Sequence, residues 1–142
     1  MSSHIIIDAR RSQDFGIGTY IRSLIHALAT LDLHNRYTLI VGPEEGQGPK
    51  DLPENFKTAI YPRTDLNRLD NLAFPIFLRR LRPDLVHIPL NRVPVAMIRP
   101  YVVTVHDMSS LLFEEEGSDL RIRLHRYRYR RGLMRANAVI AV

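Results

Sequence analysis

The 142-residue chain contains no cysteine, and only two of its twenty Lys and Arg residues are lysine. The absence of cysteine excludes a disulfide framework and any zinc site built on thiolates, and it is compatible with a reducing compartment. No run of eighteen apolar residues occurs, and the first residues carry no signal-peptide core. Together with an ordinary globular composition, these absences predict a cytoplasmic protein.

Two common enzyme signatures are also missing. No serine lies in a G-x-S-x-G turn, so a hydrolase triad has no nucleophile. His87, His106 and Asp107 are not spaced like known metal ligands, so no metal site is predicted. A polar contact to a bound ligand is the better functional hypothesis for these side chains.

A glycine pair, Gly16 and Gly18, follows the first apolar run of the chain. The spacing differs from the dinucleotide fingerprint, because seven residues separate Asp8 from Gly16 and the third glycine position holds Ile21. An NAD-binding domain is therefore the weakest alternative. The two glycines could expose backbone N–H groups at a helix N-terminus, where an anion is favoured. They could equally serve a loop that needs unusual backbone angles, and both interpretations stay open on this stretch alone.

Short β-branched runs alternate with helical patterns along the chain. The predicted strands are 5–7, 37–41, 57–61, 85–88, 101–105 and 138–142. Apolar residues recur at helical spacing over 21–31 and 66–77, where Pro75 is expected to end or kink the second helix, and Ser118 is expected to cap a third. Residues 42–55 are predicted to form a surface loop. The alternation predicts an α/β fold with a doubly wound parallel sheet.

Ligands of doubly wound sheets bind beyond the carboxyl ends of the strands. This rule selects the loops 9–18, 89–94 and 106–110, and it predicts that the glycine pair and His106–Asp107 line one crevice. The alternative for His106 and Asp107 is a hydrogen-bonded turn without a ligand.

Several stretches taken together resemble the N-terminal half of a family 4 glycosyltransferase with the GT-B fold, closest to mannosyltransferase-like members. They are "DARRSQDFGIGTYIRSLIHAL", "NRYTLIV", "LRRLRPDLVHIP", "YVVTVHDMS" and "RYRRGLMRANAVIAV". In that family two Rossmann-like domains face each other. The resemblance implies that residues 1–142 are the N-terminal, acceptor-side domain, one half of a GT-B architecture, and that the donor-binding domain is absent.

The resemblance also implies roles for individual residues. Gly16 and Gly18 match the loop that approaches the donor diphosphate, and His106, with its neighbour Asp107, matches the histidine that touches the transferred sugar. Thr19 departs from the arginine of many members, so a charge contact from that position is lost. The acceptor-side crevice would be lined by Arg10, Asp14, His87 and Asn91.

The reaction implied by the resemblance is hexosyl transfer with retention of anomeric configuration. The donor substrate is a nucleotide-diphosphate sugar, and the acceptor is a saccharide or a lipid-linked molecule. No cofactor or metal is required. The missing nucleophile and carboxylate pair fit this expectation, because the protein would act by positioning and by stabilising the departing diphosphate. The isolated chain is expected to be inactive and to self-associate.

Seven of the eighteen arginines lie between Arg121 and Arg135, interleaved with tyrosines. This segment could contact nucleic acid, or it could hold the protein peripherally on the inner face of an anionic membrane. Leu120, Leu124, Tyr127 and Met134 share one helical stripe, which favours a third interpretation. In that interpretation the stripe packs against the sheet and the arginines are solvated, and nucleic acid is the less favoured partner.

Overall fold

The computed structural model describes residues 1–45, 49, 51–63, 69–90, 92–106 and 120–142, which contain one six-stranded sheet. Its strands pair in parallel in the order β3-β2-β1-β4-β5-β6. The order reverses between β1 and β4, as in a Rossmann-like doubly wound sheet. The predicted fold class is confirmed. The strands are β1 (His4–Asp8), β2 (Arg36–Val41), β3 (Phe56–Ile60), β4 (Leu85–Ile88), β5 (Tyr101–Val105) and β6 (Ala138–Ala141).

The central strands are apolar on both faces, which is typical of parallel sheets covered by helices on either side. Their side chains form the middle of the core, and the fully buried members include Ile6, Ile7, Leu39, Ile40, Val86, Ile88 and Val103. β6 differs, because all four of its residues are exposed. The core therefore lies under β1, β2, β4 and β5, and the candidate site is built at the carboxyl ends of these strands.

Among the described residues, the helices that connect the strands are α1 (Ile17–Leu31), α2 (Asp70–Arg80) and α3 (Leu120–Arg135). The connection from β1 to β2 runs along the sheet in one direction, and those from β3 to β4 and from β5 to β6 run in the other. Because such crossovers are right-handed, α1 lies on one face of the sheet and α2 and α3 lie on the other. Contacts from β5 agree with this. The Thr104 hydroxyl lies 3.1 Å from the Tyr20 hydroxyl of α1, whereas the Tyr101 hydroxyl donates to the Gly132 carbonyl of α3 at 2.6 Å.

Helix α2 continues through Pro75 to Arg80, so the prediction that this proline ends the helix is wrong. Pro75 has no N–H, which leaves the Asn71 carbonyl without its usual intrahelical donor. That carbonyl accepts the backbone N–H of Ala96 at 3.3 Å, and the Asn71 amide oxygen accepts the N–H of Val95 at 3.3 Å. The proline thus frees an acceptor that ties the β4–β5 connection to α2. The predicted Ser118 cap lies outside the described residues.

The predicted packing of α3 is wrong. Leu120, Leu124, Tyr127 and Met134 are 75%, 45%, 60% and 75% exposed. The helix instead packs through Tyr129 and Gly132, which are both buried. Gly132 lies so close to Val93 that a Cβ on the glycine would be 2.8 Å from the Val93 Cβ. This close approach requires the smallest residue of the helix to face inward, and it turns the apolar stripe outward. Within the described ranges, no helix has the length and apolarity needed to cross a bilayer.

Candidate functional site at the carboxyl edge of the sheet

The loop after β1 and the residue after β5 meet at the carboxyl edge of the sheet. Gly16 is the N-cap of α1, and His106 directly follows β5. The ring of Tyr20, in the first turn of α1, meets the His106 ring edge-on with 4.7 Å between centroids. The structure thus brings His106 against the first turn of α1, which contains Gly18, while the crevice shared by the glycine pair and His106–Asp107 stays a prediction.

Gly16 occupies a backbone conformation that side chains rarely adopt. Its φ is +69°, and a Cβ there would meet no atom of the described residues within 4 Å. The N-cap residue has no side chain, and the described residues supply no side-chain cap to the amides of the first turn of α1. Gly16 is thus required by its backbone angles, and it stands at a helix N-terminus that favours negative charge.

Gly18 has a different reason to be glycine. A Cβ at this position would lie 2.6 Å from the Ser12 carbonyl oxygen and 3.0 Å from that of Arg11. The guanidinium of Arg22 donates to the same Ser12 carbonyl, which holds the loop against the helix. Gly18 is therefore explained by close packing between the loop and α1, and that packing fixes where the first turn of the helix points.

Four side chains form a connected group beside this helix N-terminus, which we call the imidazole cluster: Tyr20, His87, Thr104 and His106. The Thr104 hydroxyl lies 2.7 Å from His87 Nε2 and 3.1 Å from the Tyr20 hydroxyl. His87 and Thr104 are buried, and His106 is partly exposed. Burial, together with the nearby His106, lowers the pKa of His87 to about 4. His87 is therefore neutral at pH 7.

His106 is held in place from two sides. Its Nε2 lies 3.1 Å from the Pro89 carbonyl oxygen, and its ring rests against Tyr20. Because a carbonyl can only accept, Nε2 must carry the proton in this hydrogen bond. The β4–β5 connection and α1 together fix the ring orientation at the surface of the sheet edge.

A second group, which we call the ionic cluster, surrounds Arg10. Its guanidinium donates to both carboxylate oxygens of Asp8, at 2.9 and 2.8 Å, and to Asp70 at 2.6 Å. The Arg10 and Asp70 side chains are each only 5% exposed, and the guanidinium lies over the Phe74 ring at 3.8 Å. Burial acts to lower the pKa of Arg10, but Asp8 and Asp70 together raise it above its usual value. The Tyr61 hydroxyl donates to the second oxygen of Asp70 at 2.7 Å.

Two other residues predicted for the crevice, Arg10 and Asp14, do not join the imidazole cluster. Arg10 is turned into the ionic cluster, and Asp14 is exposed and paired with Arg11 at 3.1 Å. Asn91 and Asp107 lie outside the described residues. The part of the chain that the structure describes has no group of three side chains arranged to hold a metal ion.

Sequence reasoning missed Tyr20, Thr104 and the partners of Arg10. Thr104 carried a usable signal, because it is a polar residue inside the buried run Tyr101–Val105, and such a side chain needs a hydrogen-bond partner. Asp8 carried the same signal at the end of an isoleucine run. Asp70 did not, because its pairing with Arg10 spans 60 residues of sequence.

The sequence profile of Glycosyltransferase Family 4 matches residues 16–142. This match covers most of the chain, and the six-stranded parallel sheet agrees with one half of a GT-B enzyme. The chain belongs to glycosyltransferase family 4. No curated protein and no solved structure matched the chain. The family 4 match begins at Gly16, so it includes the α1 N-terminus and the whole imidazole cluster, whereas Asp8 and Arg10 precede it.

Proposed function

We propose that this family 4 domain is the N-terminal, acceptor-side half of a retaining GT-B glycosyltransferase. The enzyme would transfer a hexose from a nucleotide-diphosphate sugar to a saccharide or lipid-linked acceptor, without a cofactor or metal. The observation that carries the proposal is the contact between His106 and Tyr20, which joins a polar ring at the end of β5 to the first turn of α1. A sugar diphosphate needs both parts, a polar contact for the sugar and an electropositive end for the phosphates.

The first turn of α1 is the proposed phosphate contact. Its backbone amides and the helix dipole favour an anion, and Gly16 adds no side chain beside them. These groups are fixed before the substrate arrives, because Gly18 packs the loop against the helix. Preorganised donors of this kind stabilise charge that develops on a departing diphosphate.

His106 is the proposed catalytic residue, through contact with the transferred sugar, with Asp107 as its neighbour. Its Nε2 is held by Pro89, so the ring presents a fixed edge to a bound sugar. His87 would act through Thr104 and Tyr20 as a neutral support, since its lowered pKa keeps it uncharged at pH 7. Such supports keep a contacting group in the geometry that transfer requires.

The chain alone would hold only part of such a site. A few surface hydrogen bonds, each contributing about 1 kcal/mol, do not offset the cost of ordering a flexible nucleotide sugar. We therefore propose that these 142 residues catalyse no transfer by themselves and bind nucleotide sugars at about millimolar affinity or weaker. The exposed β6 would also favour self-association.

The test is His106→Ala in the enzyme that joins this domain to a donor-binding domain. Loss of one polar contact in the transition state predicts a turnover roughly 10- to 1000-fold lower. His26→Ala is the matched control, because His26 is exposed on α1 away from its first turn, and its turnover should be unchanged. A folded His106→Ala enzyme with normal turnover would show that His106 has only a structural role.

A further inference from the structure

The outer side of α3 combines exposed apolar side chains with arginines. Leu120, Leu124, Tyr127 and Met134 fall within an arc of about 80° at helical spacing, and they extend over about 21 Å of the helix axis. Each of them is at least 45% exposed. Burial of Tyr129 and Gly132 fixes the opposite side against the core, so this stripe points directly away from the sheet.

Positive charge borders the stripe along its length. Arg123 and Arg130 lie on one flank and Arg128 lies on the other, while Arg131 lies within the arc of the stripe between Tyr127 and Met134. All four arginines are exposed. Helix α3 contains no aspartate or glutamate. Towards its C-terminal end, Tyr127 and Met134 share a groove of about 500 Å³ with Arg130, Arg131 and Arg135. Guanidinium groups arranged in this way suit phosphate oxygens, which they bind through paired N–H donors.

Three occupants can be compared by chemistry. A second copy of the helix would bring arginine against arginine, which is repulsive. The phosphates of a nucleic acid would satisfy the arginines but would leave the leucines and Met134 in water. An anionic bilayer satisfies both, because apolar side chains enter the acyl boundary while the basic flanks stay among the headgroups.

We propose that α3 docks this domain on an anionic lipid bilayer, with the Leu120–Leu124–Tyr127–Met134 stripe at the acyl boundary. The flanking arginines contact lipid phosphates, and Arg131, within the stripe, extends its guanidinium to the same headgroup level. The stripe lies on the outer side of the helix layer, whereas the candidate site lies at the carboxyl edge of the sheet. Docking through α3 therefore leaves the imidazole cluster accessible. This proposal does not depend on the proposed glycosyl transfer.

The test is co-sedimentation of the 142-residue chain with vesicles of phosphatidylcholine alone or mixed with phosphatidylglycerol. Binding should require phosphatidylglycerol and weaken as salt rises. Arg123→Ala/Arg130→Ala should weaken binding to the anionic vesicles about 30-fold, the effect of two basic residues near the surface. Arg79→Ala/Arg80→Ala removes two exposed arginines from α2 and should leave binding within about threefold.

A second pair of variants separates a bilayer from a purely ionic partner. Leu120→Ser/Leu124→Ser should weaken vesicle binding at least about tenfold, whereas Leu31→Ser/Leu33→Ser, at two exposed leucines around the C-terminal end of α1, should not. Thermal unfolding of each variant should match the parent, since all four leucines are exposed. Equal binding to neutral vesicles, no binding to either, or salt-sensitive binding to mixed oligonucleotides that ignores the serine substitutions would overturn the proposal.

Discussion

The ionic cluster and the imidazole cluster lie at the same sheet edge but on opposite faces. Asp8 and Arg10 point to the side of α2, and His87 and Thr104 point to the side of α1. The first cluster is charged and closed, with the Arg10 side chain 5% exposed between two carboxylates. The second has a neutral His87 and ends in the partly exposed ring of His106.

This difference indicates that the ionic cluster supports the stability of the fold, whereas the imidazole cluster is available to contact a ligand. A buried guanidinium with two carboxylate partners has few donors left for a substrate, and moving it would expose uncompensated charge. The imidazole cluster is held by weaker neutral hydrogen bonds and reaches the surface beside the N-terminus of α1. We therefore expect substitutions in the ionic cluster to change folding and those around His106 to change ligand contact.

The largest expected effect follows from Asp8→Ala. It removes both hydrogen-bonded carboxylate oxygens and leaves Arg10 buried with Asp70 alone. Breaking a buried ion pair from one side predicts a loss of about 3–5 kcal/mol in the free energy of unfolding. Urea denaturation at pH 7 measures it.

Asp14→Ala is the control for this measurement. Asp14 also pairs with an arginine, Arg11, but its side chain is 48% exposed. Exposed pairs contribute about 0–1 kcal/mol, so the variant should unfold near the parent midpoint. If Asp8→Ala and Asp14→Ala lower the free energy of unfolding by similar amounts, the ionic cluster does not have the stabilising role described above.

A smaller effect is expected from acidification. The folded pKa of His87 is about 4, below its ordinary 6.5, so the unfolded chain binds the proton more readily between these values. Stability supplied by neutral His87 is therefore complete above pH 6.5 and is lost as the pH falls toward 4. Between pH 7 and pH 5 the loss attributable to this group is about 2 kcal/mol.

His87→Gln removes this titration and keeps a side chain that can bond to Thr104. The difference in unfolding free energy between pH 7 and pH 5 should shrink by about 2 kcal/mol in this variant. His26→Gln, on the exposed side of α1, should retain the pH dependence of the parent. If His87→Gln and the parent lose the same unfolding free energy between pH 7 and pH 5, protonation of buried His87 does not cause the acid sensitivity.

The parts of the fold that follow from local pattern could be predicted from the sequence. Runs such as Leu85–Ile88 and Tyr101–Val105 mark strands buried on both faces, and their alternation with helices fixes the sheet type. The approach of His106 to the first turn of α1 follows from the rule for strand ends. The direction of the α3 stripe did not follow, because the same spacing describes an inward or an outward face. The close approach of Val93 to Gly132 decides it.

The roles within the candidate site were harder to predict for a similar reason. Arg10 lies in a loop at the correct edge, but its orientation depends on Asp70, which is distant in sequence. Gly18 matches the donor-phosphate loop of the family it resembles, yet the Ser12 carbonyl beside it is enough to require glycine. Only tertiary contacts distinguish a side chain that faces a ligand from one that closes the core.

The central claim is that a sugar diphosphate meets this domain at the α1 N-terminus and the imidazole cluster. The most direct test is an NMR titration of the isotopically labelled chain with uridine and guanosine diphosphate sugars. The account predicts weak binding, with Kd of about a millimolar or above, and shifts confined to the amides of Ile17, Gly18 and Thr19 and to the His106 ring. Shifts centred on Asp8, Arg10 and Asp70 with none at His106, or micromolar binding, would contradict it.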